Sequence, residues 1–410
     1  MIVAAWTIFL ISYFVFAVGR LPRTNIDRPA MAVIGATAMF AFGVLDAQHA
    51  LGAIDHATII LLFAMMVLVA ALHQGRFFEA LVAGVVRKLE PAHLLPGVIF
   101  LSGILSALFI NDVVCLFLTP LVIDVCRRWR LDPLRYLLAL ATASNIGSTA
   151  TIVGNPQNIL IGSVSHIGYR DFLFHLGPVA VAGLFLDWMV LRVLPLRTAD
   201  ERPMLARRES VQGPQSDGFE IFPVIVTVVV VAAFLTGFAP ALVAACAAAA
   251  VFIVSRHRAS ELLGDVDWGL LVFFVGLFLV VGGAEQSGIS AQLLGFASRW
   301  DLHRPIIYTA VTVALSNLVS NVPAVMLLKQ TVANAPVEAA HRLWLLLAMA
   351  STLAGNLTIT GSVANIIVVE RAAATERGTR IGFLDYVRAG LPVTLLTVVF
   401  GWAWLTFVRY

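Results

Sequence analysis

Residues 144–158 read SNIGSTATIVGNPQN. They stand between LRYLLALATA (134–143) and ILIGSV (159–164), both fit for the middle of a lipid bilayer. Gly147, Gly154 and Pro156 argue against a continuous helix there. Hydrocarbon offers no partner to a free N–H or C=O. Irregular backbone is therefore tolerated at that depth only where protein buries it or where it lines a water-filled site. The surroundings are those of a membrane protein. The chain has 410 residues, 60% hydrophobic and only 12% charged, against about 25% charged in soluble domains. Apolar runs recur from end to end, separated by short basic loops, and about 20 apolar residues cross the hydrocarbon as helix. The first run, MIVAAWTIFLISYFVFAV, lacks a basic leader and a small-residue cleavage site and reads as a span. Cys115, Cys126 and Cys246 have no metal-ligand spacing and read as free thiols. The net charge of +3 carries no message about nucleic acid, and no nucleic-acid partner is expected.

The stretch is copied. SNIGSTATIVGNPQNI at 144 matches STLAGNLTITGSVANI at 351, both as Ser-x6-Thr-x2-Gly-x3-Asn. The first copy places Ser144, Thr151, Gly154 and Asn158; the second places Ser351, Thr358, Gly361 and Asn365. SALFINDVVCLFLTPLV at 106 matches SNLVSNVPAVMLLKQTV at 316, and DFLFHLGPV at 171 matches DYVRAGLPV at 385. The offset stays between 207 and 214. The chain thus divides into repeats over 1–195 and 219–410, joined by a charged linker at 196–218.

Each repeat supplies the same pieces. Three spans come first, at 2–19, 29–46 and 57–73, then at 220–237, 239–255 and 268–283. A short amphipathic segment follows (77–90; 289–299). Next come two arms of about 15 residues, short for spanning, meeting at a polar tip, Asn111-Asp112 or Ser320-Asn321. Re-entrant hairpins fit these arms better than two full spans. A span broken by the copied motif and a continuous span (174–194; 388–408) close each repeat. Five crossings per repeat make the second copy inverted. With the N-terminus outside, one side collects 21 Lys+Arg and the other 6. The positive-inside rule then places both termini in the periplasm and the linker in the cytoplasm of a bacterial inner-membrane protein. The expected fold is all-α and polytopic: two inverted repeats, each with a hairpin and a broken helix.

Broken helices at mid-membrane make binding sites, because half-helix N-termini face anions and freed carbonyls coordinate cations. The candidate set from the first repeat is Ser106, Asn111, Asp112, Ser144, Asn145, Thr149, Thr151, Gly154, Asn155 and Asn158. From the second it is Ser316, Ser320, Asn321, Asn356, Thr358, Gly361 and Asn365. Their polar groups serve either a site or the capping of broken ends and the joining of helices. Asp112 is an ionisable residue at a hairpin tip, a functional hypothesis by default. It could hold sodium with Ser106 and Asn111, carry a coupling proton, or simply reach water. Lys329, one of two lysines, is either a charge partner of the site or a snorkelling residue. Asp187 is expected to pair with Arg192, and His73, His166 and His175 to lie at the interface.

The broken motif and the hairpin SALFINDVVCLFLTP resemble the ion transporter superfamily over nearly the whole chain. That superfamily includes divalent anion/sodium symporters, arsenical pump membrane proteins, citrate transporters and bacterial sodium/proton antiporters. The likeness is greatest to bacterial anion permeases. The resemblance implies a scaffold, a mobile transport region, a homodimer and elevator-type movement. In the dicarboxylate branch a Ser-Asn-Thr triplet at each tip binds substrate, with sodium beside it. The matching triplets here are Ile110-Asn111-Asp112 and Ser320-Asn321-Val322, so only the Asn is kept in both. The expectation is a secondary active transporter of a small anion or oxyanion coupled to sodium or protons. The rivals are arsenite or antimonite efflux against protons, and sodium/proton antiport. No cofactor is expected. An intramembrane enzyme lacks support, since no metalloprotease, nucleophile-elbow, cofactor or P-loop motif is present.

Overall fold

The computed structural model describes residues 1–21, 23–195, 219–289, 292–293, 295, 301–375 and 379–408. The linker at 196–218 and most of the second amphipathic segment (289–299) lie outside them. Among the described residues the secondary structure is helical, with one isolated bridge between Arg20 and Asp27.

The first half runs α1 (Ile2–Val18), α2 (Arg28–Ala41), α3 (Ala47–Ala53), α4 (His56–Gln74) and α5 (Phe77–Lys88). It continues with α6 (Leu94–Leu108), α7 (Asn111–Trp129), α8 (Leu134–Ser148), α9 (Pro156–Ser165) and α10 (Tyr169–Val193). The second half runs α11 (Ile221–Leu235), α12 (Pro240–Val254), α13 (Ala259–Gly264) and α14 (Trp268–Gln286). Then come α15 (Pro305–Val319), α16 (Asn321–Ala333), α17 (Val337–Ala354), α18 (Val363–Ala373) and α19 (Phe383–Phe407). A single 3₁₀ turn, Ile152–Gly154 or Ile359–Gly361, separates the two parts of each broken helix.

Local chemistry sets several of these ends. Aspartates cap four helices: Asp27 at α2, Asp46 at α3, Asp55 at α4 and Asp267 at α14, each accepting a backbone N–H from the first turn. Pro156 opens α9, where its missing N–H costs nothing. The second expected span is shorter than 29–46: α2 stops at Ala41, and Asp46 caps the separate α3. The hairpin arms also differ from the expected even pair. In the first half α6 has 15 residues and α7 has 19, because α7 continues through Pro120 to Trp129. In the second half α15 has 15 and α16 has 13. Among the described residues, five helices are long and apolar enough to cross a membrane, and six shorter apolar helices accompany them.

The helices pack as two groups. One contains α1, α2, α4, α11, α12 and α14; the other contains both hairpins, both broken helices, α10 and α19. The groups touch where α4 meets α7 and α9, where α1 meets α15, and where α10 meets α11. Cys115 and Cys126 are buried, Cys246 is exposed, and all three are free thiols.

Candidate functional site

The breaks sit inside protein, as the polarity of the opening stretch requires. Each break frees carbonyls, and one asparagine per half recaptures two of them. Asn158 Nδ2 donates to Ser148 O and Thr151 O, both at 3.1 Å. Asn365 Nδ2 donates to Gly355 O at 2.7 Å and Thr358 O at 3.0 Å. Asn155 Oδ1 caps α9 through the Asn158 N–H at 2.8 Å. Gly154 has a packing reason: a Cβ there would lie 2.3 Å from Ser148 O and 2.9 Å from Ser106 O. Thr151 ties the break to the first hairpin through Ala107 O at 2.6 Å. Ser144 and Thr149 bond backbone within α8, and the Thr358 hydroxyl lies 3.4 Å from that of Thr360.

Asn145 locks the two halves together. Its Nδ2 donates to Asn356 Oδ1 and Asn365 Oδ1, both at 2.9 Å. Its Oδ1 accepts from Asn111 Nδ2 at 2.8 Å and Ser362 Oγ at 2.9 Å. On the opposite strut, the Thr352 hydroxyl accepts from Asn155 Nδ2 at 3.1 Å and Gln157 Nε2 at 3.2 Å. All of these side chains are buried.

The two hairpin tips are unequal. In the second half the Asn321 amide, oriented with Nδ2 toward the hairpin, has three acceptors within reach of its two N–H groups: Ser316 Oγ at 2.6 Å, Ser351 O at 3.1 Å and Gly361 O at 3.2 Å. In the first half Ser106 Oγ and Asn111 Oδ1 are buried with no hydrogen-bond partner. Buried polar atoms are almost always paired, so these two oxygens are free to accept from a bound group. The second tip carries backbone strain instead. Ser320 has φ +76° and ψ +159°, a region essentially reserved for glycine.

A cavity of about 570 Å³ lies where these parts meet. Four helix N-termini reach it: α7 through Asn111 and Asp112, α9 through Pro156 and Gln157, α16 through Asn321 and Val322, and α18 through Ser362 and Val363. The other helix group closes the far wall with Arg28, Asp267 and Phe273. Arg28 is anchored by Nε donating to Phe16 O at 2.9 Å. The Asp112 carboxylate lies against the Ala364 N–H in the first turn of α18 and faces Arg28 and Asp267 electrostatically.

Of the sequence-derived candidates, Asn111, Asp112, Ser320 and Asn321 line the cavity, and the remainder build the buried framework behind it, except Thr358, which is only half-buried and meets Thr360, and Lys329. Lys329 lies away from it, paired with Glu285 Oε1 at 3.3 Å at the far end of α16 from the tip. Asp187 does not pair with Arg192. It is fully buried and accepts from Thr142 Oγ1 at 3.0 and 3.1 Å, while Arg192 sits over the Trp188 ring. His175 is buried, its Nδ1 3.0 Å from Asp171 Oδ1. Sequence reasoning missed Gln157, Thr352, Arg28 and Asp267. Thr352 stands 207 residues after Asn145, so the internal repeat held a signal for it. Nothing local marked Arg28 as a wall of the cavity.

Two helix groups, two broken helices and two hairpin tips converging on one cavity define a multi-pass membrane transporter, not an enzyme. The chain belongs to the citrate transporter (CitMHS) family, whose profile matches residues 11–354. It is 30% identical to the silicon efflux transporter LSI3 of Oryza sativa subsp. japonica, over 93% of each chain. It is 29% identical to a 46 kDa membrane protein of Mycobacterium leprae, over 100% of this chain and 99% of that one. A putative transporter arsB of Dictyostelium discoideum is 26% identical, over 92% of this chain and 86% of that one. The fold is similar to the crystal structure of the Alcanivorax borkumensis YdaH transporter, with a TM-score of 0.58 at 15% identity, covering 98% of this chain and 95% of that one.

Proposed function

We infer that the protein is a secondary active transporter of a small anion or oxyanion, coupled to sodium or protons and moving by an elevator-type mechanism. The convergence of four helix N-termini on one cavity carries this reading, because the dipoles and first-turn N–H groups of helix N-termini favour negative charge. A coupling sodium ion fits the first hairpin tip, where Ser106 Oγ, Asn111 Oδ1 and the Asp112 carboxylate offer the oxygens that a hard cation prefers. A coupling proton would use Asp112 instead. The halves act as inverted repeats, with the hairpin-containing group moving against the other in a homodimer. In this reading the Lys+Arg distribution favours termini in the periplasm of a bacterial inner membrane, and the cavity opens to the cytoplasm because Arg20, Arg28 and Asp267, which belong to segments on that side, line it.

A second reading is favoured by the charge of the walls. Asp27, Asp112, Asp267 and Glu370 outnumber Arg20 and Arg28, which suits a neutral, hydroxyl-rich oxyacid better than a multivalent anion. Efflux of such a solute against protons agrees with the relatives named as a silicon efflux transporter and an arsB transporter. Flux in proteoliposomes decides between them, using di- and tricarboxylates, arsenite and silicic acid under imposed sodium or proton gradients. Gradient-driven carboxylate flux supports the first reading, and proton-driven arsenite or silicic acid flux the second. No gradient-driven flux of any of these solutes would refute both.

A further inference from the structure

The caps of α4 and α14 are equivalent, but their surroundings are not. Asp55 caps α4 and Asp267 caps α14, two 19-residue helices at an offset of 212. Asp55 also receives a hydrogen bond from across the group boundary. Ser163 Oγ on α9 stands 2.9 Å from both of its carboxylate oxygens, and α9 packs directly on α4. The residue equivalent to Ser163, five places beyond the motif asparagine, is Glu370 on α18. Glu370 and Asp267 face the same cavity from opposite walls, so the contact that is closed between α4 and α9 is open between α14 and α18.

Inverted-repeat transporters alternate by moving one bundle against the other around a fixed site, and in a chain of two inverted halves a contact made by one half on one side has its counterpart in the other half on the other side. We propose that closure of the cavity docks α18 on α14 as α9 is docked on α4, and that Glu370 and Asp267 then hold one proton between them. The proposal rests on the alternating-access reading above. In the contact already made, a neutral hydroxyl donates to a carboxylate and no proton is taken up. In the contact still to be made, two carboxylates meet, and like charges at hydrogen-bond distance cannot both stay ionised. The proton enters from the side to which the cavity opens and leaves when the cavity reopens there.

Among the charges that line the cavity, none supplies a substitute. Arg28 is anchored on Phe16 O and faces Asp112. Arg20 is committed to Thr24 O and Asn25 Oδ1. Asp27 and Asp112 add negative charge, and Asp265 behind α14 is bonded to His73 and Gln74. Arg371, next to Glu370, does not line the cavity. A second observation bears on the same cavity: the nine-tenths-buried Asn111 lines it with an unpartnered Oδ1, an acceptor open to a donor or a cation.

The test measures the α14–α18 separation in the full-length protein reconstituted in liposomes. A spin-label pair is placed at exposed positions on the two helices, and distances are recorded from pH 5 to pH 8. The wild type is expected to gain closed population as pH falls, with up to a tenfold change in the closed-to-open ratio per pH unit for one shared proton. Glu370→Ser, which reproduces the Ser163 chemistry, should close without that dependence, and Asp267→Asn should flatten it as well. Two populations with the same pH slope in wild type and Glu370→Ser would overturn the proton site while leaving alternating access intact. So would closure driven by sodium alone at pH 8. A single distance under every condition would overturn both.

Discussion

Replacing Asn145 by alanine tests whether the two halves are held by the amide that joins them. The substitution removes four hydrogen bonds at once: those to Asn356, Asn365, Asn111 and Ser362, all between 2.8 and 2.9 Å. Side-chain hydrogen bonds between membrane helices average about 0.6 kcal/mol. Four of them, lost from a side chain 1% exposed, amount to about 2 to 3 kcal/mol. Orphaning buried partners works in the same direction, since an unmade buried hydrogen bond costs more than a made one contributes. The unfolded-to-folded ratio should therefore rise about 30- to 150-fold. Equilibrium unfolding in mixed micelles, titrated with SDS and followed by tryptophan fluorescence, measures this directly. Thr236→Ala, at an exposed position whose hydroxyl bonds its own helix, is the control. Transport should also fall at least tenfold, because Asn145 aims Asn111 at the cavity. An Asn145→Ala protein that unfolds at the wild-type midpoint and transports normally would show that this amide does not hold the halves together.

Asn111→Ala and Asn321→Ala should each abolish transport in proteoliposomes, since each tip presents its asparagine to the same cavity; wild-type rates in both would dismiss the hairpin-tip site. Asp112→Asn keeps size but removes charge, so ion-driven accumulation should collapse while exchange down the substrate's own gradient persists. Accumulation with unchanged ion and pH dependence would reduce Asp112 to a structural cap. Ser320→Gly should raise stability by about 1 kcal/mol, because glycine relieves the positive-φ strain at a smaller entropic cost; an unchanged unfolding midpoint would show that the tip is not strained. Outside the spans, the His49 backbone N–H, Gln286 and the His49 ring hold the Asp46 carboxyl at about 2. That is below its unfolded value of about 3.9, so its stabilisation is complete above about pH 5 and disappears as pH falls toward 2. Asp46→Asn should lose this acid-dependent step in unfolding titrations; an identical pH profile would refute the assignment.

The stretch at 144–158, its copy at 351 and the apolar runs around them were sufficient to read an all-α membrane transporter with broken helices and polar hairpin tips. These are local properties. Length and hydropathy decide what suits hydrocarbon, glycine and proline decide where a helix stops, and duplication shows which residues correspond. Asn111 and Asn321 were legible for that reason, as were the asparagines that recapture the freed carbonyls. Correspondence does not say which side chains meet. That Asn145 reaches Asn356, Asn365 and Ser362, and that Thr352 receives Asn155 and Gln157, depends on how the halves are packed, with partners some 200 residues apart. Packing also carried Lys329 away to Glu285, turned Asp187 toward Thr142, and set Arg28 and Asp267 on the cavity wall. A charge in a sequence acquires its role only when tertiary structure decides what lies within a few ångströms of it, because burial and the nearest partner set its energy.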